Sequence, residues 1–288
     1  PELHRAKVRR TFQTDLLRFP PLVGLHPFED FQRQDIQRAL SQNRFLFNWE
    51  MGLGKSYATV ALFDNLRHYK CTDKAVLLTT GIGTYNLKNE LLKFSKTLQE
   101  EDIVVCKNTK EARKLSIAKL VDPESPHKIL ITTYTAFKVM AFDFYKEATG
   151  KKVSARTIKK AKIPFDKWSD MPLTLFLDES HNLGNPKSQQ SKCVEANKGA
   201  FEYIYEFTGT FADKYEKMYQ QIKILDTALV GGKNFESWVL EYGDIGTKWS
   251  DYEPNPKAWK LGKLAELNDK LMSCYSAKRK MDECLDLP

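Results

Sequence analysis

Short apolar runs alternate with amphipathic stretches along most of this chain. The continuous apolar runs are Phe45–Phe47, Ala75–Leu78, Ile103–Val105, Ile129–Ile131, Leu173–Leu177 and Tyr203–Phe207. The amphipathic stretches between most of them are Tyr57–Tyr69, Thr84–Leu98, Lys110–Val121, Tyr134–Ala148 and Ser188–Lys198. Continuous apolar strands that alternate with helices are typical of a parallel sheet covered on both faces. The pattern therefore predicts an α/β fold.

Two regions interrupt this alternation. Residues 149–172 are polar and basic, and they separate the fourth predicted strand from the fifth. After residue 226 the pattern becomes mixed, with the loop Tyr252–Pro256, and the last stretch, Ala258 to Leu287, has a helical pattern. We therefore expect an N-terminal extension at 1–27, an α/β lobe at 28–226 with an insertion at 149–172, and a helical end at 227–288.

A glycine loop follows the first apolar run and precedes the first helical stretch. Its residues, Glu50-Met51-Gly52-Leu53-Gly54-Lys55-Ser56, have the arrangement of a phosphate-binding loop. Glycines let backbone N–H groups close around a polyphosphate, and the helix N-terminus adds its positive dipole end. In such a loop Lys55 reaches the β- and γ-phosphates and Ser56 holds Mg²⁺. The predicted nucleotide contacts are Gly52, Leu53, Gly54, Lys55, Ser56 and Tyr57.

One departure weakens this prediction. The full pattern has glycine at position 49, where this chain carries Trp49. On these residues alone, a glycine turn with a purely structural role remains the alternative.

Two adjacent carboxylates, Asp178 and Glu179, end the fifth apolar run. Such a pair is costly at the tip of a buried strand unless it meets a cation. In a nucleoside triphosphatase the first carboxylate holds Mg²⁺ and the second orients and deprotonates the attacking water. Because ligands bind at the carboxyl ends of parallel strands, we expect Asp178 to lie close to Lys55. A plain surface acid pair is the alternative.

The composition is that of an ordinary globular protein, with 42% hydrophobic and 28% charged residues. Dispersed cysteines argue against a zinc site or disulfide framework and favour a reducing intracellular compartment, cytoplasm or nucleus. No apolar run approaches the roughly 20 residues that span a bilayer, so no membrane partner is expected.

The net charge of +8 favours an anionic partner, nucleic acid first. The chain begins without Met, and we expect a processed piece of a longer protein.

The acidic pair belongs to a longer motif. Asp178-Glu179-Ser180-His181 resembles the DEAH-type motif of superfamily-two helicases, and the continuation Asn182 to Ser188 is similar to that of their Swi/Snf-like branch. The phosphate loop is similar to that branch's variant, in which the glycine missing at position 49 is normally absent. The resemblance covers roughly residues 28–288. It implies the N-terminal RecA-like lobe of a DNA translocase or helicase, with ATP and Mg²⁺ as cofactors.

Further family motifs follow in order. Gln32, after Phe31, resembles the adenine reader, although the nearby Gln34 leaves the register open. The resemblance implies DNA-backbone contacts, with strand-end capping as the alternative, at Thr80, Asn86, Thr133 and Tyr134. It implies a coupling motif at Thr208, Gly209 and Thr210. His181 would link the γ-phosphate region to this coupling motif, and a buried structural histidine is the alternative.

The chain also departs from the family pattern. Ser180 replaces the usual small apolar residue, and Phe211 stands where the family usually has proline. These enzymes have a second RecA-like lobe with arginine fingers, and the sequence stops where that lobe would begin. We therefore expect a second lobe, in cis or in trans, as a partner.

Residues 149–172 carry a basic run. Its members are Lys151, Lys152, Arg156, Lys159, Lys160 and Lys162. Their spacing would place several charges along one helix face, as a candidate element for gripping DNA. A charge run is more often a solvated face, and that interpretation stays open.

Together these motifs favour an ATP-dependent motor lobe that acts on DNA, most simply double-stranded DNA bound by its backbone. One alternative is a motor subunit of a restriction or other DNA-processing complex. Another is an ATP-gated nucleic-acid-binding module in which hydrolysis is not the purpose. A phosphate-loop kinase is the last alternative, and it leaves Thr208-Gly209-Thr210 unexplained.

Overall fold

The predicted strands all form, and they lie parallel in one sheet. The computed structural model describes residues 29–95, 97–106, 109–122, 124–165, 172–210, 215–243 and 260–284. The strands are β1 Arg44–Trp49, β2 Lys74–Thr79, β3 Ile103–Val105, β4 Ile129–Thr133, β5 Leu173–Asp178, β6 Phe201–Thr208 and β7 Ser276–Arg279. Within the described residues the sheet has seven strands in the order β3-β4-β2-β5-β6-β1-β7. The α/β prediction is confirmed.

Helices cover both faces of the sheet. They are α1 Asp30–Ser41, α2 Lys55–His68, α3 Gly83–Phe94, α4 Lys110–Val121, α5 Tyr134–Thr149, α6 Gln189–Asn197, α7 Tyr215–Leu225, α8 Phe235–Tyr242, α9 Leu261–Lys270 and α10 Met281–Cys284. Hydroxyl side chains set the starts of three of them, because Thr109, Thr133 and Ser188 each accept a hydrogen bond from a backbone N–H of the first turn.

The pleat of β5 shows how the sheet divides the core. Leu175 and Leu177 pack into one apolar cluster with α4, α5 and α6, whereas Phe176 packs into the other with α1, α2 and α3. All three side chains are buried, which explains why the strand reads as a continuous apolar run. A third, smaller cluster joins α7, α8 and α9 around Tyr219 and Trp238.

The helix predicted over Ala258 to Leu287 is wrong in part. The stretch begins with α9 and a π-helical turn, but Ser276–Arg279 then forms β7. This strand pairs with β1 and lies at the edge of the sheet. Pairing with the backbone of β1 overrides the local helical preference of a short polar segment.

The remaining sequence expectations for the flanking regions divide into two groups. The predicted helix Thr84–Leu98 ends at Phe94. In the described part of the insertion, the basic residues lie in loops and in the 3-10 turn Ile158–Lys160 rather than on a helix face. The N-terminal extension at 1–27, the loop Tyr252–Pro256 and Phe211 lie outside the described residues. The boundary placed at residue 226 stays a prediction.

Candidate nucleotide and nucleic-acid site

The glycine loop between β1 and α2 has the backbone that a phosphate cradle needs. Gly52 and Gly54 both have φ +87°, in the left-handed region that favours glycine. A Cβ atom at Gly54 would lie 2.6 Å from Gln32 Nε2, so a larger residue would displace that side chain. Gly54 precedes Lys55, the first residue of α2, and gives the helix no side-chain cap. The helix N-terminus is therefore suited to receive an anion.

Gln32 supports this loop from α1. Its Nε2 donates a hydrogen bond of 2.9 Å to Leu53 O, and its Oε1 accepts one of 3.2 Å from Glu29 N. The side chain therefore contacts the loop backbone in this structure. Tyr57, also predicted as a nucleotide contact, packs its ring edge-on to Phe94.

Lys55 lies where three strand ends meet. Its Nζ donates to Trp49 O at 3.3 Å and lies 3.6 Å from Glu179 Oε1. Directly after β6, the strand between them, a Cβ atom at Gly209 would lie 3.6 Å from the same nitrogen. The phosphate loop and the acidic pair are thus close together, as the strand ends predict, although β6 separates β1 from β5.

Asp178 is held at the tip of β5 by two neighbouring elements. Thr79 Oγ1 donates a hydrogen bond of 2.7 Å to Asp178 Oδ2, and Tyr134 OH donates one of 2.7 Å to Asp178 O. Burial raises the pKa of Asp178, while the Thr79 hydrogen bond and the charge of Lys55 oppose this rise. A carboxylate in such a place is stabilised by a cation.

Mg²⁺ fits the oxygen donors of this site. Among the described residues, no group of three or more His, Cys, Asp and Glu side chains could hold a metal by itself. Magnesium usually takes one or two protein carboxylates and completes its shell with water and substrate phosphates. Asp178, whose half-buried carboxylate interacts electrostatically with Lys55, and the Ser56 hydroxyl in the first turn of α2 are the groups that would hold it.

Glu179 has a backbone conformation that is rare for its residue type. Its φ of 49° and ψ of 51° lie in the left-handed region, and such strain in a residue other than glycine concentrates at functional sites. Asn182 holds the turn, because its backbone N and its Nδ2 both donate to Glu179 O, at 3.1 and 2.8 Å.

His181 joins the acidic motif to the next strand. Its Nδ1 lies 3.3 Å from Glu179 Oε2 and 3.3 Å from Thr208 Oγ1. Thr208 Oγ1 donates to Thr210 O at 2.9 Å and accepts from Thr210 N at 3.2 Å. The structure therefore contains a continuous line of contacts from Lys55 to the Thr-Gly-Thr turn.

The candidate DNA contacts divide by exposure. Thr80 and Asn86 are exposed near the carboxyl end of β2. Thr133 is half-buried, and its hydroxyl caps α5. Tyr134 is only 4% exposed, and its expected contact with a DNA backbone stays a prediction. Its hydroxyl instead fixes the tip of β5.

The residue that broke the loop pattern, Trp49, has a structural partner that sequence reasoning missed. Trp49 Nε1 donates a hydrogen bond of 3.0 Å to Asp35 Oδ2, and Arg279 binds both oxygens of that carboxylate at 2.8 and 2.7 Å. Glu50 extends the contact, since its Oε2 accepts from Met281 N at 2.8 Å. No local pattern could reveal this network, because Arg279 and Met281 lie more than 200 residues along the chain from Asp35 and Glu50, their partners.

A buried polar cluster underlies the acidic motif. Ser180 Oγ, in the position that departs from the family pattern, accepts a hydrogen bond of 3.0 Å from Gln221 Nε2. Glu206, two residues before Thr208, is fully buried, and neither carboxylate oxygen makes a hydrogen bond to the described residues. Burial raises the pKa of Glu206 to about 8, against smaller opposing effects of Ser180 and Lys198.

Three elements therefore converge at the carboxyl ends of the parallel strands. They are the loop at Lys55, the acidic pair at Asp178 and the turn at Gly209. This is the architecture of a RecA-like lobe of the superfamily-two helicases, and the predicted resemblance is confirmed. The chain belongs to the family described as "Type III restriction enzyme, res subunit", whose sequence profile matches residues 26–213.

Solved structures show the same fold. The Sulfolobus solfataricus SWI2/SNF2 ATPase core in complex with dsDNA is 19% identical, covers 94% of this chain and 48% of its own, and has a TM-score of 0.63. The Sulfolobus solfataricus SWI2/SNF2 ATPase core domain is 16% identical, with 96% and 48% covered and a TM-score of 0.64. The chain thus spans about half the length of these relatives. In its described part, no helix combines the length and apolar character that membrane crossing requires.

Proposed function

We propose that this chain is the motor lobe of a DNA translocase or helicase, which binds Mg-ATP and a DNA backbone and couples hydrolysis to movement on DNA. The observation that carries the proposal is the line of contacts Lys55–Glu179–His181–Thr208. These contacts connect Lys55, which is suited to bind phosphate, and Glu179, which is suited to bind water, with Thr208. Thr208 ends β6, where the family has its coupling motif. The family match and the dsDNA bound to a structural relative support the choice of DNA.

Each side chain has a role in this proposal. Lys55 and the α2 N-terminus bind the β- and γ-phosphates, and Ser56 and Asp178 would hold Mg²⁺, which would supply charge neutralisation there. Glu179 orients the attacking water and accepts its proton. His181 contacts both Glu179 and Thr208, so a change in the position of Glu179 would move Thr208. Thr80 and Asn86, exposed at the same edge of the sheet, contact phosphates without reading sequence.

The lobe would need help to turn over quickly. Phosphoryl transfer depends mainly on positioning and charge neutralisation, and an arginine finger is worth about 10³–10⁵ in rate. We assign that group to a second RecA-like lobe, in cis or in trans. Residues 1–288 should then bind ATP and hydrolyse it slowly. Full DNA-stimulated turnover by this chain alone would contradict the assignment.

The test is a pair of substitutions in the phosphate site. Lys55→Ala should abolish binding of a fluorescent ATP analogue, because it removes the charge that meets the phosphates. Glu179→Gln should keep binding and lose the slow hydrolysis measured as phosphate release. Equal nucleotide affinity in the wild type and Lys55→Ala would overturn the proposed site.

A second candidate has support from the family match. A motor subunit of a restriction complex would use the same lobe, and the matching family is described by such a subunit. The variant Glu179→Gln distinguishes a motor from an ATP-gated binding module. A binding module should still bind DNA in response to ATP in that variant, whereas a motor should lose its movement on DNA. Nucleotide-dependent DNA binding combined with movement on DNA would favour the motor.

A further inference from the structure

The insertion after α5 is a folded element. Ile158, Ala161, Ile163 and Phe165 are each at most 2% exposed, and all but Ile158 belong to the apolar cluster on the α5 face of the sheet. Asn197 clamps the segment, because its Oδ1 accepts from Ile163 N at 2.7 Å and its Nδ2 donates to Ala161 O at 3.0 Å. The backbone of residues 158–165 therefore has a defined position.

Its outer surface is uniformly basic. The exposed side chains, which we call the basic platform, are Lys151, Lys152, Arg156, Lys159, Lys160 and Lys162. The sequence has no acidic residue between Glu147 and Asp166. Among the described residues, no ion pair within 4.0 Å includes a member of the platform. The charge of Lys159 reaches Glu195, but that carboxylate is already bonded to Lys223 and Gln220.

The platform lies at the amino ends of the strands, whereas the nucleotide site lies at their carboxyl ends. Helix α5 begins at the carboxyl end of β4 and has 16 residues, which is about 24 Å at 1.5 Å per residue. The segment that follows it packs Phe165 against Phe201, the first residue of β6, with ring centroids 5.3 Å apart. Lys55, Glu179 and Thr80 all lie at the other ends of the strands. The basic run thus does not extend the motor face, by which we mean the surface at the carboxyl ends of the strands that carries Lys55, Glu179 and Thr80.

The chemistry of the platform favours nucleic acid over protein. Protein interfaces need a desolvated apolar or aromatic core, and the exposed side chains of residues 151–162 are lysine, arginine, serine and alanine. A cluster of flexible ammonium groups without carboxylates suits a row of phosphates, whose binding releases counterions. Such contacts hold DNA without reading its sequence.

We propose that the basic platform is a second DNA-binding surface, which holds one duplex segment by its phosphates while the opposite edge of the sheet engages another. The inference rests on the proposed function, because it assigns DNA to the motor face as well. A lobe with two such surfaces would bring two segments of duplex together.

The experiment measures energy transfer between two duplexes of about 15 base pairs, one and a half helical turns, labelled with donor and acceptor. Mixed with the wild-type chain, the two duplexes should show transfer. Lys159→Gln/Lys160→Gln/Lys162→Gln should lose most of it and keep binding of one duplex. The matched control Lys119→Gln/Lys263→Gln/Lys270→Gln removes the same charge from exposed positions on α4 and α9 and should behave as wild type.

Salt dependence gives a second readout. Removal of three phosphate contacts should reduce the slope of log affinity against log salt by about 3 for the bridged complex, at about 0.9 per contact. One-duplex binding without bridging by the wild type would overturn the inference and leave the motor proposal intact. A different outcome is that a single duplex binds only through the platform, with no effect of ATP or of Asn86→Ala. That outcome would instead overturn DNA binding at the motor face. Equal competition by polyglutamate at the same charge would assign the platform to an acidic protein and overturn the proposal.

Discussion

Arg279 donates two hydrogen bonds to the carboxylate of Asp35, at 2.8 and 2.7 Å, across 244 positions of the chain. Asp35 is fully buried and also accepts the indole N–H of Trp49. The pair therefore fastens the edge strand β7 to α1 and to the strand that enters the phosphate loop. The Trp49 that departs from the phosphate-loop pattern is thus part of the support for that loop.

Arg279→Met should destabilise the fold by up to about 3–5 kcal/mol, because it removes the two-point cation of a buried carboxylate and leaves Asp35 only Arg38, at 4.0 Å. The double variant Asp35→Leu/Arg279→Met should recover part of this loss, because a buried ion pair replaced by apolar side chains is often close to neutral. The recovery should be incomplete, since the buried Trp49 Nε1 loses its acceptor. Urea unfolding of the three proteins at one pH measures both differences. A double variant no more stable than Arg279→Met would contradict the reason given.

His181→Ala should uncouple nucleotide from DNA without removing either. In the wild type we expect ATP to change duplex affinity by a factor of about 5–150, the usual range of coupling between two sites. The variant should reduce that factor to near one, because it breaks the contacts from Glu179 to Thr208. Duplex titrations with and without Mg-ATP measure the factor. Unchanged coupling in His181→Ala would assign the histidine a structural role.

Thr79→Val should weaken Mg-ATP binding by about tenfold, corresponding to a hydrogen bond to a charged group of about 1.5 kcal/mol. The change removes the 2.7 Å hydrogen bond that orients Asp178. Thr174→Val on β5 is the matched control, because the Thr174 hydroxyl is buried without a hydrogen-bond partner in the described structure. Magnesium titrations of ATP affinity should separate the two variants, and equal effects would argue against the role of Thr79.

Glu206 should make the fold less stable as the pH rises. The pKa of its carboxyl is about 8 in the fold, above the usual 4.5, so the native state binds the proton more tightly than the unfolded chain. Stability from this group is fully present below pH 4.5 and declines toward pH 8, by up to about 1.4 kcal/mol per pH unit. The charge of Lys198 lowers this pKa and so opposes the effect of burial.

Glu206→Gln should remove this decline, because the amide stays neutral at every pH. Its advantage in unfolding free energy over the wild type should therefore grow between pH 5 and pH 8, as measured by urea unfolding in matched buffers. Glu202→Gln, on the same strand and half-buried, is the control. A constant difference across this pH range would show that Glu206 is ionised throughout.

The sequence by itself determined six strands, β1 to β6, and the chemistry at their ends. Continuous apolar runs such as Leu173–Leu177 predicted buried parallel strands, because side chains on both faces of such a strand must leave water. The glycines of the phosphate loop and the carboxylates at Asp178 and Glu179 could also be predicted, because each motif is defined by residues adjacent in the chain.

Only the tertiary structure decided which strand ends meet and what holds them. The non-sequential strand order places Thr79 beside Asp178 and brings Arg279 to Asp35, and hydrophobic periodicity carries no information about such long-range pairings. Strand β7 escaped prediction because four polar and small residues at a sheet edge are stabilised mainly by hydrogen bonds to β1. The basic run was visible in the sequence, but its place opposite the nucleotide site follows from the length of α5 and from the packing of Phe165 on Phe201.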